Sequence, residues 1–260
     1  MSGEDALRSR LLAFAHELAD EADRLTMRSF GEQLEVTAKV DGSPVTDVDV
    51  AVEHLLRDRI TATWPEHAIV GEELGTAASD DAEFAWYVDP IDGTKNFVRG
   101  IPAFATLLCV ERGGEPLIAV ASAPALAARW DGNTGTGARR DGRPIHVSTT
   151  ATIADATVSF GGLGWFEPHG GAELVGRVTA ATARQRGFGD FWHHCLVAEG
   201  AVDAALEGDV SAWDLAAVRC IVQAAGGSFV DFTGDERIDG GTAISATPAI
   251  LEDLLALVRG

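Results

Sequence analysis

The stretch Trp86-Tyr87-Val88-Asp89-Pro90-Ile91-Asp92-Gly93-Thr94-Lys95-Asn96-Phe97 places two carboxylates directly after an apolar run. The apolar residues before Asp89 predict a strand, and Pro90 removes the next backbone N–H from the sheet. Two carboxylates at a strand end can converge on one hard cation, and Mg²⁺ prefers such oxygen ligands. Taken alone, the stretch is equally typical of an Asp-Pro turn in which Asp92 caps a helix.

A glycine and a hydroxyl follow the second carboxylate, as Gly93 and Thr94. If a helix begins here, its free N–H groups point at an anion, as they do at phosphate-binding helix starts. The same turn therefore predicts a phosphate site beside a metal site.

Three further acids stand at the ends of predicted elements. Glu72 follows the apolar run Ala68–Val70, Asp49 lies near the start of a predicted helix, and Asp214 opens another. Singly, each has a structural explanation: an exposed glutamate is usually solvated, and acids in a first helical turn cap it or favour its dipole.

The charge balance excludes several classes of partner. Forty acidic residues against 20 basic ones give a formal charge of −20 and a pI near 4.6. Nucleic acids and anionic membranes require basic patches, so we expect neither as a partner. Most of the acidity serves solubility. An acidic protein that binds phosphate needs local compensation, either from metal ions or from a helix N-terminus.

The cysteines and the apolar runs indicate a cytoplasmic protein. Cys109, Cys195 and Cys220 are widely spaced among apolar neighbours without a CxxC pattern, as expected of reduced core thiols. The N-terminal ten residues lack a signal-peptide pattern. Apolar runs such as Leu117–Ala123 fall far short of the ~20 residues of a membrane span.

The periodicities predict two tightly packed α+β halves, residues 1–143 and 144–260. A loop or hairpin at Asn133–Arg143 is the expected junction. Helices are predicted in residues 1–30 and at Val48–Thr63, Ala172–Ala183, Phe191–Glu199, Asp214–Ala225 and from Thr247, an expected N-cap, to Val258. Strands are predicted at Ala68–Val70, Ala85–Val88, Phe104–Val110, Leu117–Ala123, Ala156–Phe160 and Ala201–Leu206.

In combination, four motifs resemble the inositol monophosphatase-like family along nearly the whole chain. They are V-T-x-x-D at Val45–Asp49, G-E-E at Gly71–Glu73, D-P-[IL]-D-G-[ST]-x-N-[FY] at Asp89–Phe97, and W-D-x-A-A at Trp213–Ala217. The resemblance implies a layered αβαβα sugar-phosphatase fold, a homodimer, and a phosphomonoesterase with two or three Mg²⁺ ions per site.

The resemblance also implies roles for individual residues. It gives Glu72, Asp89 and the carbonyl of Ile91 to a first metal, and Asp89, Asp92 and Asp214 to a second. Glu72, with Asp49 through water, would hold a third. Thr94 and Glu72 would orient the attacking water, and the N–H groups of Gly93 and Thr94, beside Asp92, would hold phosphate. One metal ion would activate the water and another would stabilise the leaving alkoxide.

Substrate choice in this family depends on the second half of the chain. The corresponding positions here are Arg186, Asp190 and Glu207. An acid at 190 suits a cationic leaving group, and the surrounding sequence is similar to actinobacterial histidinol-phosphatases. Asp190 could alternatively be the N-cap of the helix that it opens.

His193-His194 departs from those relatives, which often carry Ser-Tyr there. Adjacent helical side chains point in different directions, so at most one imidazole is expected in the pocket, and the pair is a weak metal-ligand pattern.

Three hypotheses follow. We expect hydrolysis of a small phosphorylated metabolite, with histidinol phosphate as the preferred candidate. The alternative is a phosphatase of inositol monophosphate, 2′-nucleotides or another biosynthetic intermediate. A relative that only binds metal is disfavoured because every ligand position carries a competent acid.

Overall fold

The computed structural model describes residues 3–32, 36–38, 44–77 and 82–260. Within these ranges the α-helices are α1 (Gly3–Ser29), α2 (Asp47–Thr63), α3 (Thr94–Val98), α4 (Gly171–Ala181), α5 (Asp190–Ala198), α6 (Ala212–Ala224) and α7 (Leu251–Arg259). Short 3₁₀ helices cover Pro124–Leu126, Ile153–Asp155, Leu163–His169 and Pro248–Ile250.

The strands of the first half are β1 (Val36–Ala38), β2 (Pro44–Thr46), β3 (Ala68–Gly71), β4 (Gly75–Ala77), β5 (Phe84–Asp92), β6 (Ala105–Arg112), β7 (Glu115–Ala123), β8 (Ala128–Asn133), β9 (Gly137–Arg140) and β10 (Arg143–Ile145). Those of the second half are β11 (Thr157–Phe160), β12 (Arg184–Arg186), β13 (Ala204–Gly208), β14 (Ser228–Val230) and β15 (Thr242–Ala246).

The larger sheet has eight strands in the order β10-β9-β8-β7-β6-β5-β3-β4. Its pairs are antiparallel except β3 with β5, which run parallel. Because β3 and β5 run in the same direction, their carboxyl ends meet at one edge of the sheet. Glu72 follows β3, and Asp92 ends β5.

Helices cover both faces of this sheet. On one face, α1 and α2 pack Leu18 and Leu56 against Trp86 and Val120. On the other face, α5 and α6 pack Phe191 and other apolar side chains against the alternate residues of β6 and β7. Helices on both faces make the strands nearly continuously apolar, as the run Leu117–Ala123 shows.

The smaller sheet has five strands in the order β12-β11-β13-β15-β14. Helices α4 and α7 cover its outer face through a cluster that includes Phe160, Leu206 and Leu254. On the inner face, Val197 of α5 packs against Ala205 of β13. The layers therefore run α1/α2, large sheet, α5/α6, small sheet, α4/α7, which confirms the expected αβαβα arrangement.

Most predicted elements occur within a few residues of their expected bounds. Segment 133–143 contains the β9–β10 hairpin, whose turn residues Asp141 and Gly142 both have positive φ, as a type I′ turn requires. The division into residues 1–143 and 144–260 stays a prediction. No helix among the described residues has the length and apolar character of a membrane span.

One local prediction was wrong, and another was confirmed in position but not in its side-chain contact. Strand β5 does not end before Asp89 but continues to Asp92, with a register shift against β6 between these two residues. Thr247 occupies the predicted N-cap position before Pro248, at the start of the 3₁₀ turn that leads into α7, but its side chain makes no capping hydrogen bond. The Thr247 hydroxyl instead forms a hydrogen bond with the Ser148 hydroxyl, at 2.8 Å, although the two residues are far apart in sequence.

Candidate active site

A bulge in β5 turns its two aspartates towards one place. Pairing with β6 skips Pro90 and Ile91, and the Pro90 carbonyl accepts a hydrogen bond from Thr106 Oγ1 at 2.8 Å instead. Such a bulge reorients the following side chain. The backbone N–H of Ile91 donates to Asp89 Oδ1 at 2.9 Å, which fixes that carboxylate at the turn.

A third carboxylate reaches the same place from α6. Asp214 is the third residue of this helix and accepts the Ser211 backbone N–H at 2.7 Å in a capping box. It is therefore not the N-cap itself. Oxygens of Asp89, Asp92 and Asp214 all lie within 4.8 Å of one another.

These three carboxylates carry strongly raised pKa values. Burial raises the pKa of Asp89 and Asp92 well above the ordinary value, and the neighbouring acids raise both further. Burial, with Glu72 nearby, raises the pKa of Asp214 to about 7. Like charges held this close, out of water, are stabilised by protons or by a cation. The donor set, oxygen alone, fits a hard divalent cation.

Glu72 lies beside this cluster and is held by its loop. Its charge raises the pKa of Asp89, Asp214 and Asp49, which places its carboxylate near all three. Glu53, fully buried on α2, accepts the backbone N–H groups of Glu73 at 2.7 Å and Leu74 at 3.1 Å. Glu53 thus fastens the turn that presents Glu72.

Asp49 contacts Thr94 directly. The Thr94 hydroxyl lies 2.9 Å from the Ile91 carbonyl and 3.3 Å from Asp49 Oδ1. Asp49 Oδ2 accepts the backbone N–H of Thr46 at 2.8 Å, in the capping box that opens α2. Two predicted ligand groups, Asp49 and the Ile91 carbonyl, therefore share the hydroxyl that was expected to orient water.

Gly93 permits the turn into α3. Its φ of +81° is left-handed, and a Cβ there would lie 2.9 Å from the Ala103 carbonyl oxygen. The same Cβ would lie 3.5 Å from Asp190 Oδ2, so Asp190 lies against this turn. Gly93, not Asp92, is the residue that precedes the helix.

Helix α5 brings the second half of the chain to the site. Gly189 precedes the helix, and Asp190 is its first residue, with φ +51°. Asp190 is therefore not an N-cap. Its Oδ2 accepts the side-chain N–H of Asn96 at 2.8 Å. A non-glycine residue in the left-handed region is uncommon and often marks a functional position.

A cavity of about 90 Å³ opens beside the metal carboxylates. Its lining comprises Asp92, Trp165, Asp190, Phe191, His194, Glu207, Asp209, Val210, Asp214 and Leu215. Among the residues that the structure describes, the lining contains five carboxylates and no lysine or arginine. Burial and the charge of Asp190 raise the pKa of Glu207 well above its ordinary value. The cavity thus favours a positively charged group beside the Asp89–Asp92–Asp214 cluster.

The remaining predicted substrate residue, Arg186, lies outside this lining. It is exposed on the edge strand β12, and its guanidinium donates to the Gln185 carbonyl at 2.7 Å. Of the two histidines, only His194 lines the cavity, as expected. Both imidazoles nevertheless face Glu207, which helical spacing did not predict.

Sequence reasoning did not assign four residues that the structure places at the site. Glu53 and Asn96 hold the turns already described, while Trp165 and Asp209 line the cavity. The Lys95 ammonium lies 5.2 Å from the centre of the Trp165 ring, in a cation–π contact between the two halves. Asn96 belongs to the Asp89–Phe97 motif, which was the one available signal.

Comparison with known proteins agrees with this geometry. The chain is 43% identical to a histidinol-phosphatase of Mycobacterium tuberculosis, over 93% of this chain and 95% of the relative. It is 38% identical to a histidinol-phosphatase of Streptomyces coelicolor, over 95% and 96% of the two chains. A solved structure, the IMPase of Thermotoga maritima, superposes with a TM-score of 0.86 at 30% identity, covering 96% of this chain and 97% of the other. The inositol monophosphatase family pattern matches residues 7–259, so the chain belongs to the inositol monophosphatase family and is a phosphoric monoester hydrolase.

Proposed function

We propose that this enzyme hydrolyses histidinol phosphate to histidinol and phosphate with Mg²⁺ as cofactor. The observation that carries the proposal is the acidic cavity next to the Asp89–Asp92–Asp214 cluster. A substrate with a dianionic phosphate and a cationic leaving group matches this pair of environments. The named activity of the two histidinol-phosphatase relatives supports the same assignment.

The acids around β5 would hold two or three Mg²⁺ ions. Glu72, Asp89 and the Ile91 carbonyl form one proposed set, and Asp89, Asp92 and Asp214 form another. Glu72, with Asp49 through water, forms the third. When bound, Mg²⁺ would supply an activated water, neutralise the phosphate and stabilise the leaving alkoxide.

The chain itself would position the reacting groups. The Thr94 hydroxyl, already 3.3 Å from Asp49, would hold the attacking water together with Glu72. The backbone N–H groups of Gly93 and Thr94, beside Asp92, would bind phosphate oxygens. Among the described residues, no serine or cysteine nucleophile lines the cavity. We therefore propose direct attack by water, without a covalent intermediate.

Asp190 and Glu207 would bind the ammonium and imidazole of the leaving group. Both carboxylates line the cavity, and each is close enough to the metal cluster for its charge to raise the pKa of Asp92. Trp165 lines the same cavity, and its ring already contacts the Lys95 ammonium. Arg186 is exposed and lies outside the cavity lining, so its role in substrate binding stays a prediction.

Inositol 1-phosphate is the second candidate because of one contact. Asn96 occupies Asp190 Oδ2, and the nearby Lys95 lowers the pKa of this carboxyl in opposition to burial, so the charge of Asp190 is partly compensated. Binding of a neutral polyol does not depend on the charge of Asp190, so this compensation would weaken it less than it would weaken binding of a cation. We further propose a cytoplasmic location, in keeping with three buried free cysteines, and a homodimer, which rests on the family resemblance alone.

The test is phosphate release with Mg²⁺ from histidinol phosphate, inositol 1-phosphate, fructose 1,6-bisphosphate and 2′-AMP. We expect kcat/KM for histidinol phosphate to exceed the others by about a hundredfold, or ~2.7 kcal/mol of transition-state binding. A flat or inositol-led profile would retain the phosphatase but overturn the substrate assignment.

A further inference from the structure

Three metal-ligating side chains meet beneath the cavity, apart from the carboxylates around β5. His193 and His194 project from α5 and Glu207 from β13, and their exposed fractions are 0%, 2% and 1%. Ligand atoms from all three lie within 4.8 Å of one another. The cluster therefore combines two imidazoles with one carboxylate in the protein interior.

Serine hydroxyls orient both rings. Ser159 Oγ on β11 lies 3.3 Å from His193 Nδ1, and Ser245 Oγ on β15 lies 2.7 Å from His194 Nδ1. With Nδ1 occupied, each ring presents Nε2 to Glu207. His193 Nε2 is in direct contact with Glu207 Oε2, and His194 Nε2 lies 3.7 Å from the same oxygen.

The facing atoms lack satisfactory partners. Within the described ranges, neither Nε2 atom nor either Glu207 oxygen makes a hydrogen bond of acceptable geometry. Such buried polar atoms are costly unless something satisfies them. Burial lowers the pKa of both imidazoles, to about 3 for His193. Two neutral rings carry no positive charge towards Glu207, and a ring whose Nδ1–H donates to its serine presents a lone pair on Nε2.

The backbone makes room for this carboxylate. A Cβ on Gly161 would lie 2.0 Å from Glu207 Oε1, so any larger residue there would displace the side chain. A glycine at the end of β11 and two serines on neighbouring strands thus support the three side chains, which is the arrangement expected around metal ligands.

We propose that His193, His194 and Glu207 bind one transition-metal dication of the Zn²⁺ class. Imidazole ligands favour Zn²⁺ over Mg²⁺, so this site differs in metal from the all-carboxylate cluster. Two histidines and one glutamate leave a fourth tetrahedral position for water or a neutral imidazole. That position opens towards the cavity, because His194 and Glu207 both line it. With the metal bound, Glu207 would meet the leaving group through the metal, and Asp190 alone would pair with the ammonium.

The test measures metal content and spectrum independently of turnover. The full-length chain is stripped with a chelator, saturated with Mg²⁺ to fill the carboxylate cluster, and then titrated with Zn²⁺ or Co²⁺. Zinc retained after dialysis is measured by mass spectrometry, and Co²⁺ coordination by visible absorption. The variants are His194→Gln and the nearly isosteric Glu207→Gln, each checked for folding by circular dichroism.

Two control variants separate this site from the rest of the molecule. His54→Gln removes an exposed imidazole on α2, and Asp92→Asn disables the carboxylate cluster. We expect wild type and both controls to retain one zinc per chain and a tetrahedral Co²⁺ spectrum, and the two site variants to lose both. Wild type that retains no zinc, or site variants that retain as much as wild type, would overturn the proposal and leave a proton shared between Glu207 and His193.

Discussion

The backbone N–H of Phe191 donates to Asp92 Oδ2 at 2.7 Å, across 99 residues of sequence. Asp92 belongs to the proposed metal cluster, and Phe191 lies in the first turn of the helix that carries Asp190, His193 and His194. The free N–H groups of a helix start stabilise a carboxylate. Helix α5 therefore orients a proposed metal ligand and lines the proposed substrate cavity at the same time.

Replacing Asp190 by asparagine tests the proposed charge pairing. Asparagine tolerates the left-handed backbone of this position, so the substitution removes charge without adding strain. We expect KM for histidinol phosphate to rise about tenfold, ~1.4 kcal/mol, with little change for inositol 1-phosphate. Steady-state kinetics on both substrates measures the difference, and equal effects on the two would remove the pairing.

Glu53→Gln tests whether the buried α2 carboxylate positions Glu72. The amide retains one acceptor for the N–H groups of Glu73 and Leu74 but weakens a charge-assisted contact. We expect Mg²⁺ affinity to fall by ~10- to 100-fold, as for other residues that support metal ligands. Titration calorimetry measures this affinity. Asp58→Asn, exposed on the same helix, is the matched control, and equal losses in both variants would contradict the positioning role.

The pKa of Asp214 predicts a pH-dependent stabilisation by Mg²⁺. Burial raises this pKa to about 7 in the metal-free protein, so the folded state holds a proton that the unfolded chain releases near pH 4. The contribution of this carboxyl to the stability of the metal-free protein is therefore present at low pH and is lost as the pH rises towards 7. Mg²⁺ binds the deprotonated form, so its affinity rises over the same range.

Thermal unfolding with and without saturating Mg²⁺ checks this expectation. The increase in Tm caused by Mg²⁺ should grow between pH 5 and pH 8, and should grow less in Asp214→Asn. An increase in Tm that is constant with pH would show that this carboxyl does not titrate in that interval.

Glu111 provides a second pH effect, away from the metal cluster. Burial raises its pKa to about 7, and Arg219, 3.6 Å away, only partly opposes this rise. The folded state again binds the proton more tightly than the unfolded chain does. The contribution of Glu111 to the free energy of unfolding is therefore lost as the pH rises from 4.5 to 7, by up to about 3 kcal/mol. Denaturant unfolding in saturating Mg²⁺ should show a smaller decline for Glu111→Gln than for wild type. The exposed Glu252→Gln, on α7, should behave as wild type, and identical declines in all three proteins would refute the assignment.

Part of the carboxylate cluster could be predicted from a local pattern, because Pro90 interrupts a strand ladder between Asp89 and Asp92. Asp214 taken alone is typical of a helix start, and only the resemblance to the inositol monophosphatase-like family joined it to the other two. The exact end of strand β5 was less predictable. The end of β5 depended on a bulge against β6, which is a tertiary relationship.

The substrate cavity was harder to predict because its contacts join distant residues. Asn96 and Asp190 are 94 residues apart, and no periodicity links them. His193 and His194 were expected to diverge by helical geometry, but serines on two different strands turn both rings towards Glu207. Their convergence depends on the packing of α5 on the smaller sheet, which the helical pattern of the sequence does not predict.

The most direct test of the account is Mg²⁺-dependent phosphate release from histidinol phosphate by wild type and Asp92→Asn. The account predicts that chelation abolishes wild-type turnover, that Mg²⁺ restores it, and that the folded variant loses at least ~100-fold in kcat/KM, or ~2.7 kcal/mol. Circular dichroism confirms the fold of the variant. Wild-type turnover that survives chelation, or a variant that keeps more than a few per cent of wild-type activity, would contradict the assignment of the metal site.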